Sequence, residues 1–198
     1  MDLVSVIIPY FRKKDTLSNS VNSVLRQTYK NFEIIIIYDD ESKTDLNFVK
    51  GLKNLDNRIS VIQNNQKMGA GKSRNIGIDN SNGEFIAFLD ADDTWQSNKL
   101  SRQINFMKLN NYDVSHTSYS VINENHKFLG IRKARNFFDL KDLLKSCDIG
   151  TSTVIIKKHL LNNDIQFASL KTKEDFVLWL KLLKQNTKIY ALNETLTS

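Results

Sequence analysis

Cysteine occurs once in this chain of 198 residues, at Cys147, so an intrachain disulfide is impossible. One thiol with no nucleophile motif around it points to a reduced, cytoplasmic compartment and to a small buried hydrophobe. Proline occurs once and glycine seven times, so no Pro/Gly-rich linker divides the chain. No apolar run reaches the roughly 18 to 20 residues that span a bilayer. The opening Met1-Asp2-Leu3-Val4 lacks the basic segment of a secretion signal. His116, His126 and His159 have no ligand spacing with one another, which argues against a zinc site. Internal repeats and low-complexity tracts are also missing.

What remains has the composition of an ordinary globular domain, with 40% hydrophobic and 25% charged residues. The length suits one domain with a substantial core. The net charge of +6 can attract nucleotides or phospholipid headgroups, or can simply be a solvated lysine-rich surface. The basic residues are scattered without an interleaved aromatic stripe, so nucleic acid is not an expected partner.

Short β-rich runs alternate with helical patterns, the signature of an α/β layered fold. Val4 to Pro9 reads as a buried strand. Asp15 can cap a helix with Leu17, Val21, Val24 and Leu25 on one face. Phe32 to Tyr38 holds four consecutive isoleucines, as expected of a strand covered on both faces. Arg58 to Gln63 and Phe85 to Leu89 read as further strands, with a helix over Gly69 to Ser81 between them. Leu100, Ile104 and Met107 mark another helix. Beyond it, Asp113 to Ile122, Thr151 to Ile156 and Lys188 to Leu192 are strand-like. Leu140, Leu143, Leu144 and Cys147 suggest a short helix. Phe176, Trp179, Leu180 and Leu183 recur as one amphipathic stripe. The chain stops just past its last strand with no closing element, as a trimmed chain or a fragment would.

Four constellations carry chemistry. In Phe88-Leu89-Asp90-Ala91-Asp92-Asp93 an apolar strand runs into three carboxylates. Open α/β sheets bind ligands at this end of their strands. Residues two apart in extended chain project to one side, so Asp90 and Asp92 can converge and hold Mg²⁺ or Mn²⁺ beside substrate phosphates. An acidic turn, with Asp93 capping the next helix, is the structural alternative. In Ile37-Tyr38-Asp39-Asp40-Glu41-Ser42 a second strand ends in acids that can accept from a ribose hydroxyl or a base N–H, although turns favour the same residues. Met68 to Gly77 contains Gly-Lys-Ser, but Gln66 stands where a P-loop needs glycine. That segment reads instead as a cationic loop entering a helix, with Lys72 and Arg74 available to a nucleotide's charge. Finally, Glu174 and Asp175 open the Trp179-bearing helix, as dipole partners or as a general base. Trp95 and Trp179 read as packing residues, and Trp95, next to the acids, is the better sugar platform of the two.

These segments, in this order, resemble the family-two inverting glycosyltransferases of the GT-A fold. The resemblance is carried by Val4 to Phe11, Ser23 to Tyr29, Phe32 to Ser42, Ser73-Arg74-Asn75-Ile76-Gly77, Asp90 to Asp93 and Glu174 to Leu180. It implies an α/β GT-A fold with a mostly parallel central sheet flanked by helices. The whole chain, residues 1–198, would be one catalytic domain. Residues 1–99 would bind the nucleotide sugar and the metal, and residues 100–198 would bind the acceptor. The resemblance implies that Asp40 contacts the base of a nucleoside diphosphate, usually uridine, with Asp39 nearby. Pro9 and Phe11 would line the base pocket, and Arg74 would help hold the nucleotide. Asp90 would touch ribose or the metal shell, and Asp92 would bind Mn²⁺ or Mg²⁺. Asp175 would be the catalytic base, with Glu174 in reserve. The donor would be a UDP-sugar and the acceptor a glycan or lipid-linked glycan at the inner membrane face, with peripheral membrane association and a role in polysaccharide assembly. Glu41 departs from the family, which commonly has glycine there. The rival readings are a nucleotide-sugar-binding module without catalysis, a P-loop NTPase and a sugar nucleotidyltransferase.

Overall fold

The isoleucine run sets the layering. Ile34, Ile35, Ile36 and Ile37 are all essentially without solvent exposure, so the strand that carries them is covered on both faces. In the computed structural model, which describes residues 2–123 and 127–198, the elements follow one another as a strand–helix series and then a mixed half. The series is β1 (Val4–Tyr10), α1 (Lys14–Leu25), β2 (Phe32–Tyr38), α2 (Lys43–Gly51), β3 (Ile59–Gln63), α3 (Ala70–Asp79), β4 (Phe85–Phe88) and α4 (Lys99–Asn110). The mixed half is β5 (Val114–Ile122), β6 (Phe128–Arg132), α5 (Leu140–Lys145), β7 (Ile155–Lys157), α6 (Glu174–Lys184) and β8 (Tyr190–Thr197).

One sheet joins both halves in the order β3-β2-β1-β4-β7-β5-β6, with β8 also paired to β5. Strands β3, β2, β1 and β4 run parallel, as do β5 and β8, while β7 is antiparallel to β4 and β5. Because side chains alternate along a strand, each central strand feeds two cores. Val4, Val6, Ile8, Ile34 and Ile36 pack with α1 and α4. Ile7, Ile35, Ile37 and Phe88 pack with Ile78 of α3 and with Leu178 and Trp179 of α6. Burying each such side chain stabilises the fold by about 1.5–3 kcal/mol. Strand β1 lies between β2 and β4, so connections leave it in both directions. A crevice opens where they diverge, at the carboxyl ends.

Several local readings shift. Asp15 is not the cap of α1: Lys13 holds that position, and Asp15 lies in the first turn, where its charge faces the helix N-terminus. Thr151 to Thr153 form a turn of 3₁₀ helix, leaving only Ile155–Lys157 as strand. Cys147 is exposed rather than buried, because α5 ends at Lys145 and the apolar stripe that would carry it inward ends with it. The strand at the chain's end is longer than its pattern, and it closes the sheet end. Thr94 N donates to Ser198 O at 2.6 Å, Ser198 N donates to Thr94 O at 2.9 Å, and Gln96 N donates to Leu196 O at 3.0 Å. Helix α2, capped by Ser42 accepting from Asp45 N, and strand β6 have no counterpart in the sequence reading. Of the histidines, His116 is buried with Nε2 2.8 Å from Arg135 O, His159 is exposed, and His126 lies outside the described residues.

Candidate active site

At the carboxyl ends of β1, β2 and β4 a cavity of about 260 Å³ is lined by Pro9, Phe11, Lys13, Asp39, Lys67, Ser73, Arg74, Asp90 and Asp92, among others. Pro9 and Phe11, at the end of β1 and just beyond it, both face this cavity. The Phe11 ring lies in the cavity wall with the Lys67 ammonium 4.0 Å from its centre and the Arg12 guanidinium at 5.0 Å.

Asp39 lines the cavity and braces the loop beside it. It is buried, and its oxygens accept from Met68 N, Gly69 N and Asn64 Nδ2, each at 2.7 Å. These bonds shape the loop entering α3, where Gly69 has φ +84, a conformation that favours glycine. The Gly-Lys-Ser stretch thus ends up as the first turn of a helix. Its Lys72 points to solvent and is not part of the cavity wall. The cations at the cavity are Lys13, Lys67 and Arg74. Asp40 is half-buried, lies outside the lining of this cavity, and accepts from Arg12 N at 3.1 Å and Glu41 N at 2.7 Å.

The acidic motif divides its labour. Asp90 turns inward, with Oδ1 accepting from Arg74 Nη2 at 2.6 Å, while its N–H donates to Ser152 Oγ at 2.9 Å. Asp92 turns outward and pairs with Lys13 Nζ at 2.8 Å. The two carboxylates line one cavity, and each pairs with a separate cation. Asp93 is pushed up to about 7 by burial and then by the charges of Asp90 and Asp92, against a hydrogen bond from Ser152.

Arg74 is the centre of the arrangement. Its side chain is 5% exposed. Nη1 donates to Glu174 Oε1 at 2.8 Å, and the guanidinium carbon lies 5.2 Å from the Phe167 ring centre. Burial works against the charge, but Asp90 and Glu174 outweigh it and hold the guanidinium above its ordinary pKa. Glu174 is thereby committed to Arg74. Asp175, the next residue, accepts from Thr151 Oγ1 at 3.1 Å and from Phe176 N at 2.7 Å and is half-buried at the start of α6. It does not line the Phe11–Asp92 cavity. Trp95 is buried with Nε1 donating to Ser152 O at 2.8 Å, and Trp179 is buried in the core, so both are packing residues.

Lys13, Lys67, Thr151 and Ser152 were missed. Only position relative to a strand end could have flagged Lys13, and nothing local marks the other three.

A sheet of this order with an acid-edged, cationic cavity at its switch point is the GT-A fold of nucleotide-sugar transferases. The chain belongs to Glycosyl transferase family 2, whose pattern matches residues 5–164. It is 41% identical over 191 residues to the Escherichia coli UDP-Glc:alpha-D-GlcNAc-diphosphoundecaprenol beta-1,3-glucosyltransferase WfgD, covering 96% of this chain and 73% of that protein. The solved structure of S. aureus TarS 1-349 in complex with UDP superposes with a TM-score of 0.82 at 23% identity, covering all of this chain and 60% of that one. The Pyrobaculum calidifontis mannosyltransferase PcManGT, in complex with GDP-Man and Mn²⁺, superposes with a TM-score of 0.74 at 13% identity, covering 96% of this chain and 55% of that one. The chain thus spans about three fifths of the TarS structure's length.

Proposed function

We propose that this chain catalyses metal-dependent, inverting transfer of a sugar from a UDP-sugar to a hydroxyl of a lipid-linked glycan acceptor. The observation that carries the reading is the single cavity in which an aromatic ring (Phe11), three cations and the Asp90 and Asp92 carboxylates meet at the switch point of the sheet. The 41% identity to a glucosyltransferase using UDP-Glc and a diphosphoundecaprenol-linked acceptor supports the choice of donor and acceptor.

Within this reading Phe11 packs against the uracil ring and Asp40 accepts its N–H. Lys13 and Lys67 place positive charge beside the diphosphate. Arg74 positions Asp90 and Glu174 and reaches the nucleotide through them. The donor set fits a divalent ion. Mg²⁺ and Mn²⁺ take one or two carboxylates and complete their shell with phosphates and water. Among the described residues no cluster of three or more metal-binding side chains forms a closed cage. Asp92, half-exposed on the cavity wall, would hold the ion with Asp90, and the ion would supply charge stabilisation for the departing diphosphate.

Asp175 is the base. Its neighbour Glu174 is tied to a buried guanidinium, whereas Asp175 accepts, among the described residues, from a hydroxyl and a backbone N–H. It accepts the proton of the acceptor hydroxyl as that oxygen attacks the anomeric carbon, and the bond to the diphosphate oxygen breaks on the opposite side. One displacement inverts the centre. The acceptor places the reaction at the cytoplasmic face of a membrane. No helix among the described residues is long and apolar enough to cross one.

The test is transfer from UDP-sugars with Mn²⁺ to lipid-linked and soluble acceptor sugars. Asp175→Asn is expected to lower kcat by about 10² to 10⁴-fold with donor binding retained. Asp92→Asn is expected to remove the metal requirement together with most activity. Full turnover in both variants would refute the assignment.

A further inference from the structure

We propose that the sheet edge formed by β6 and the end of β5 docks this chain on the surface of an anionic lipid bilayer. The inference rests on the lipid-linked acceptor reading and extends it by naming the surface and the element that meets it. Strand β6 is the edge of the sheet, paired only with β5. Its apolar side chains have no cover: Phe128 and Leu129 are each 59% exposed and Ile131 50%, and Ile122, opposite Phe128 on β5, is 41% exposed. Alternation along the strand puts Phe128, with Ile122 across from it, on one face of the ribbon and Leu129 with Ile131 on the other, so both faces of this sheet edge are apolar and exposed.

The charge around the patch selects the partner. Lys127, Arg132 and Lys133 are exposed, and none forms an ion pair among the described residues. Apolar side chains flanked by cations are the chemistry of a bilayer interface, where the former enter the acyl boundary and the latter meet anionic headgroups. Two copies paired through this edge would instead bring two sets of cations together. The β-bulge between Val121 and Ile122 also bends the ribbon away from a regular edge.

The patch is continuous with the site. Ile122 lines a cleft of about 510 Å³ that reaches Asp92 and Trp95, and another of about 180 Å³ that reaches Asp93 and Gly150. A bilayer under these strands would therefore present the polar head of an embedded acceptor to the side of the acidic motif, beside Gly150 and Ser152.

The experiment is co-sedimentation of the chain with vesicles of phosphatidylglycerol and phosphatidylethanolamine, compared with vesicles of phosphatidylcholine alone. Binding is expected only to the anionic vesicles, and it weakens as salt rises. The double variants Phe128→Ser with Leu129→Ser, and Arg132→Glu with Lys133→Glu, should each lower bound protein by about tenfold or more. The UDP-induced rise in melting temperature should stay as in the wild type, which shows that the variants fold. Transfer to a soluble acceptor sugar should persist while transfer to acceptor embedded in vesicles falls. Undiminished vesicle binding in both variants would overturn the proposal. So would a wild-type dimer, seen by sedimentation velocity without vesicle binding, that the Phe128 and Leu129 changes dissociate. Failure of the transferase reading looks different, as no UDP shift and no transfer to any acceptor whatever the vesicle result.

Discussion

Arg74 carries more of the site than any carboxylate does. Among the described residues it alone ties the turn after β4 to α6 through two charge-assisted bonds, at 2.6 Å to Asp90 and 2.8 Å to Glu174. A lysine could satisfy one of these acids but not both, because only the guanidinium fork reaches two separated oxygens. Arg74→Lys is therefore expected to lower kcat by about 10- to 100-fold while donor KM changes little, since the base moves and the base pocket does not. A change confined to KM would contradict this. Asp93 offers a second test at the same scale. Its pKa of about 7 lies above the ordinary value of 3.8, so between those values the folded chain keeps a proton that the unfolded chain has lost. Stability from this group is present at low pH and is lost as pH rises through about 7. In metal-free protein, Asp93→Asn should flatten the fall in melting temperature between about pH 4 and pH 7 relative to the wild type. Parallel curves for the two proteins would show that the raised pKa is not there.

At the scale of elements, the site depends on how closely α3 approaches the sheet and α6. A Cβ on Gly77 would lie 2.5 Å from Ile7 Cγ2, and a Cβ on Gly71 would lie 2.6 Å from Ala168 O. Both glycines set contact distance, since neither has a positive φ. Gly77→Ala forces α3 away from β1 or displaces Ile7, an overpacking cost of about 1–3 kcal/mol. Chemical denaturation should show the lower midpoint with an unchanged slope. An unaltered midpoint would mean that α3 has room the structure does not show. Helix α6 shows how an element start serves chemistry. Lys173 stands in the left-handed region at φ 62 and turns the chain so that Glu174 enters the interior and Asp175 stays near Thr151.

For the whole molecule, the two halves meet across β4 and β7, and the cavity between Phe11 and Asp92 is lined from the first half. A ligand that binds only the folded state stabilises all of it. UDP with Mn²⁺ at about 100 times its Kd should add about 2.7 kcal/mol. For a chain of this size that is a rise of roughly 5–10 °C in melting temperature. EDTA should remove most of the rise, and Asp92→Asn should be insensitive to EDTA. A shift that is unchanged by EDTA in the wild type would remove the metal from the mechanism. The parallel half and its acid-tipped strands were legible in sequence because the signals are local. A β-branched run such as Ile34 to Ile37 needs burial on both faces wherever it sits, and an aspartate after the last apolar residue emerges at the strand end. Chain-distant pairings had no such signal. The sequence alone determined which strands are central and which carboxylates stand at their ends. Only the tertiary structure decided that Arg74 reaches Glu174 across 100 residues, that Lys13 meets Asp92 and that β8 closes onto Thr94. Those contacts follow from the order of strands in the sheet, which brings remote segments together and which no short-range periodicity encodes.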